Sequence, residues 1–147
     1  MSVRSYDGKV RKHLLDSIKR QLDGEATAVD APSPPLIKIV PGADAVYNDP
    51  DLTARLVAAL RRDLGPDSAV EMPAKMTSED FSAYGRAGVR AVLLHIGAVN
   101  PTALASGTRL PDLHSPQWHP ELEPTLQSFV SAEVVMLTEL LAAPGNR

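Results

Sequence analysis

Three stretches of this chain repeat apolar residues every three to four positions, and each is fenced by proline or glycine. The backbone is thereby committed to separate amphipathic helices. The first covers residues 8–23, with Val10, Leu14, Leu15, Ile18 and Leu22 along one face. The second opens at Asp49-Pro50, where an N-cap is followed by a proline whose missing N–H is no loss in a first turn. It carries Leu52, Leu56, Val57, Leu60 and Leu64 until Gly65-Pro66 stops it. The third, residues 121–142, sets Leu122, Leu126, Phe129, Val130, Val134, Leu137 and Leu141 on the face expected to be buried.

Between these helices the pattern changes. Val3–Tyr6 and Leu36–Val40 read as strands. Ala31-Pro32-Ser33-Pro34-Pro35 separates the first helix from the second strand, because proline has no backbone donor and restricts the residue before it. Ala69–Met72 reads as a further short strand, and Ser78 as the cap of a short helix through Tyr84. Val89–Ile96, apolar except at Arg90, has the character of a buried parallel strand whose Ala91–Leu94 would be core. The stretch from Gly97 to Trp118 lacks periodicity and reads as a long loop, a place where function is often carried. The expected fold class is therefore α/β. A strand-helix-strand piece is expected over residues 1–40, a crossing linker over 41–48, and a larger α/β piece over 49–147.

Composition bounds the function classes. With 147 residues, 44% apolar and 22% charged, the chain is long enough for a domain core. A formal charge of −3 without any lysine or arginine run gives no electrostatic reason to expect nucleic acid or an anionic membrane surface. There is no cysteine, so disulfides, thiolate-held zinc and a cysteine nucleophile are excluded from this chain. Met1–Arg20 is charged throughout and does not read as a signal peptide, and no apolar run reaches the ~20 residues that span a bilayer. A cytoplasmic location is expected.

Each chemically competent residue has two readings. His114, in a loop ahead of a helix, either caps a backbone group or ligates a metal. Glu79 and Asp80 are either first-turn acids favoured by the helix dipole, with Ser78 as cap, or groups that orient a ligand or position a substrate. His95 ends an apolar strand and is either hydrogen-bonded structure or part of a site. His119, five residues beyond His114 in an irregular loop, lacks the helical i, i+4 spacing of metalloprotease histidines and reads as surface. Trp118 reads as a packing residue and His13 as exposed.

Four motifs in order add to this. Tyr47-Asn48-Asp49-Pro50, Ser78-Glu79-Asp80-Phe81, His95-Ile96-Gly97 and Leu113-His114-Ser115-Pro116 together resemble the C-terminal part of the aminoacylase, hippurate hydrolase and indole-acetyl-amino-acid hydrolase family of metal-dependent amidohydrolases. The resemblance runs from about Val3 to Leu141 and matches only the later portion of such an enzyme. It implies the C-terminal part of a catalytic α/β sheet domain, preceded over residues 1–40 by half of a ferredoxin-like lid used for dimerisation. It also implies that His114 is a ligand of a catalytic zinc or manganese, with Glu79, Asp80, Ser78, Ser115 and His95 near the cleft. The implied reaction is hydrolysis of an N-acyl amino acid or a similar amide.

The departures from that family are equally specific. Relatives carry a Cys-x-His pair, a Glu-Glu pair and a further histidine upstream of the matched region, and these supply most metal ligands and the acid/base glutamate. The chain contains none of them. A catalytic zinc needs about three protein ligands and an open position. The resemblance thus implies a partial amidohydrolase, inactive and at most a weak metal binder in isolation, that requires the missing N-terminal half or a second copy. The alternative is a non-catalytic dimerisation or binding module of the same family. Either reading expects a homo-oligomer, because two lid strands without their central neighbour leave backbone groups open to pairing.

Overall fold

A computed structural model describes residues 1–77, 79–107 and 109–142. Its regular elements are α1 (Gly8–Ala28), α2 (Pro50–Leu64), α3 (Ser82–Arg86), α4 (Pro101–Ala105) and α5 (Leu122–Leu141). Among the described residues there is no strand. This corrects the α/β expectation, both for the catalytic sheet and for the half lid.

The reason lies in where each element finds its hydrogen bonds. A helix satisfies its backbone within its own segment, whereas a strand exists only when a neighbour supplies the opposite donors and acceptors. Leu36–Val40 and Val89–Ile96 have strand composition, yet no ladder forms on either. Leu36 is accordingly 98% exposed, and Ala91–Leu94 are only half-buried rather than core.

The chain forms two compact units. The first comprises Met1–Asp49 and Met72–Ala91. Here α1 is longer than the periodicity indicates and starts where the Asp7 carboxylate accepts from the N–H groups of Lys9 (2.7 Å) and Val10 (3.1 Å). Val10, Leu14 and Leu22 stay exposed, so the expected burial of an α1 face does not occur. Polar ties hold this unit. Arg4 donates to the Met76 carbonyl, the Tyr47 hydroxyl to the Tyr6 carbonyl, and the Arg90 guanidinium grips Asp49 through two bonds of 2.7 and 2.8 Å. Ser82 is its one buried residue among those described.

The second unit comprises Pro50–Glu71 and 92–142, and its core is the packing of α2 against α5. Leu56, Ala59 and Leu60 of α2 and Ala132 of α5 are buried. Each buried leucine contributes about 1.5–3 kcal/mol. Glu139 is buried with them and accepts from Arg55 at 2.9 Å and from Arg62 at 3.4 Å. The α2 boundaries agree with the sequence signals, since Gly65 follows the last turn with φ of +102°. The α5 boundaries agree as well, but its buried face does not. Leu122, Leu126, Phe129, Val130, Val134, Leu137 and Leu141 are all exposed, from 45% at Phe129 to 81% at Leu141. The packed face instead runs through Thr125, Ala132, Val135, Met136 and Glu139.

Candidate functional site

His114 occupies a pair of consecutive turns in the second unit. The Ser115 N–H donates to the Asp112 carbonyl at 2.8 Å and the Trp118 N–H to the Ser115 carbonyl at 3.0 Å. Ser115 braces the junction, donating its hydroxyl to Gln117 Oε1 at 2.6 Å and accepting from the Gln117 N–H at 3.2 Å. Two turns closing on one serine leave the preceding side chain outside the loop, and His114 is exposed while Ser115 and Trp118 are half-buried. Ser115 thus organises the loop that displays His114. His95, in the same unit, is exposed, as is His119.

The acidic candidates belong to the first unit. Glu79 and Asp80 are exposed and precede α3, with the Ser82 N–H donating to the Glu79 carbonyl at 3.1 Å and the Ala83 N–H to the Asp80 carbonyl at 3.0 Å. The expected cap Ser78 lies outside the described residues. The helix itself begins at Ser82, with Phe81 in the cap position and no side-chain capping bond. Phe81 and Tyr84 pack their rings 5.2 Å apart on this turn.

Asp80 does line a cleft of about 410 Å³, together with Pro41–Asp44, Ser82, Ala83 and Arg86. Its charged wall is an ion-pair junction in which Asp44 accepts from Arg86 and, at 3.5 Å, from Arg11. Asp44 and Arg86 escaped the sequence reading because they lie 42 positions apart and neither belongs to a motif.

The loop expected over Gly97–Trp118 contains a helix. Asn100 Oδ1 accepts from the Thr102 N–H at 2.8 Å, Pro101 takes the first helical position, and α4 follows. Asn followed by proline is a helix-start signal, so this element was legible in the sequence.

A metal centre would need several ligands converging on one point. Among the described residues, no group of three or more histidine, aspartate or glutamate side chains is placed to hold an ion. The donor set around His114 therefore does not by itself fit a catalytic zinc or manganese. No family model matches the chain. No helix among the described residues is long and apolar enough to cross a membrane.

Proposed function

We propose that this chain contributes the C-terminal portion of a metal-dependent amidohydrolase, with His114 as its one direct metal ligand. The observation that carries the reading is the ordered motif series ending at Leu113-His114-Ser115-Pro116, with His114 exposed on a loop braced by Ser115. An exposed imidazole on a fixed turn can complete a ligand set whose other members come from a separate segment. The substrate class is N-acyl amino acids or similar amides, the metal zinc or manganese, and the compartment the cytoplasm. The partner supplies the Cys-x-His and Glu-Glu motifs. In isolation the chain hydrolyses nothing.

The test is complementation. A polypeptide bearing the upstream motifs is added with zinc or manganese, and amino-acid release is followed on several N-acyl substrates. Turnover should appear only in the mixture and vanish with His114→Ala, while circular dichroism stays unchanged. Turnover that survives His114→Ala, or a mixture that stays inactive although the two polypeptides associate, would overturn the assignment. A second reading, a non-catalytic association module, is favoured by the exposed apolar face of α5.

A further inference from the structure

We draw no further inference here: the strongest candidate, the uncovered apolar face of α5 through Leu126, Phe129, Val134 and Leu137, carries none, because nothing in the structure shows what covers it.

Discussion

Arg55 on α2 donates from Nε to Oε1 of Glu139 on α5 at 2.9 Å, and from the same guanidinium to the Glu139 backbone carbonyl. The Glu139 side chain is 9% exposed, so a carboxylate has been taken into the small core that joins these helices. Such a charge is tolerable only with guanidinium partners in place, here Arg55 at close range and Arg62 at 3.4 Å. Removing Arg55 alone should therefore hurt more than removing both groups. Arg55→Met is expected to cost about 3 kcal/mol, and the double variant Arg55→Met with Glu139→Leu should recover most of it. Urea unfolding of the single and double variants measures this. Equal losses from the double and from Arg55→Met would deny the pair its role.

The apolar part of the same contact rests on few side chains. Leu60 is 4% exposed and Ala59 1% exposed. Leu60→Ala should cost ~2–4 kcal/mol through lost burial and a residual cavity. Leu126→Ala, on the uncovered face of α5, should change the stability of the monomer by no more than ~0.5 kcal/mol. Thermal melts at a concentration too low for association distinguish the two.

Gly65 closes α2 at φ of +102°, and a Cβ built there would meet nothing within 4 Å. The cost of Gly65→Ala is then conformational rather than steric crowding by neighbours. It should be about 1–2 kcal/mol. A melting temperature unaffected by Gly65→Ala would mean that this turn adopts another conformation in solution.

Exposed ion pairs set a shallow acid dependence. The Arg62 side chain hydrogen-bonds Asp63, and that of Lys12 hydrogen-bonds Asp16. Each holds its carboxyl below the ordinary value of 3.8. Asp63 in turn holds the Arg62 guanidinium above its usual range. A carboxylate with a depressed folded pKa binds fewer protons than it does in the unfolded chain. Its stabilisation is present above pH 3.8 and is lost as the pH falls through the folded value. The urea midpoint should therefore drop below pH 4, and the paired substitutions Asp16→Asn and Asp63→Asn should flatten that part of the profile. An unchanged slope in the double variant would show that screening by water leaves these pairs without effect.

The sequence by itself determined α2 and α5 and their limits. Pro50 and Gly65 bracket α2 and the apolar repeat runs the length of α5, because propensity, capping and proline chemistry act within a single turn; α4, inside the stretch read as a loop, was missed. Only tertiary structure decided which faces are buried and whether extended segments become strands. The α5 repeat contains two apolar sides, and choosing between Ala132 and Phe129 as the inward one depends on what α2 presents, which no local pattern encodes. Leu36–Val40 has the composition of a strand, but a strand is a relation between two segments, and composition supplies only one of them. The same holds for chemistry. The loop around His114 is drawn by Ser115, Gln117 and Asp112 within six residues, whereas the junction of Asp44 with Arg11 and Arg86 joins residues that only the folded chain brings together.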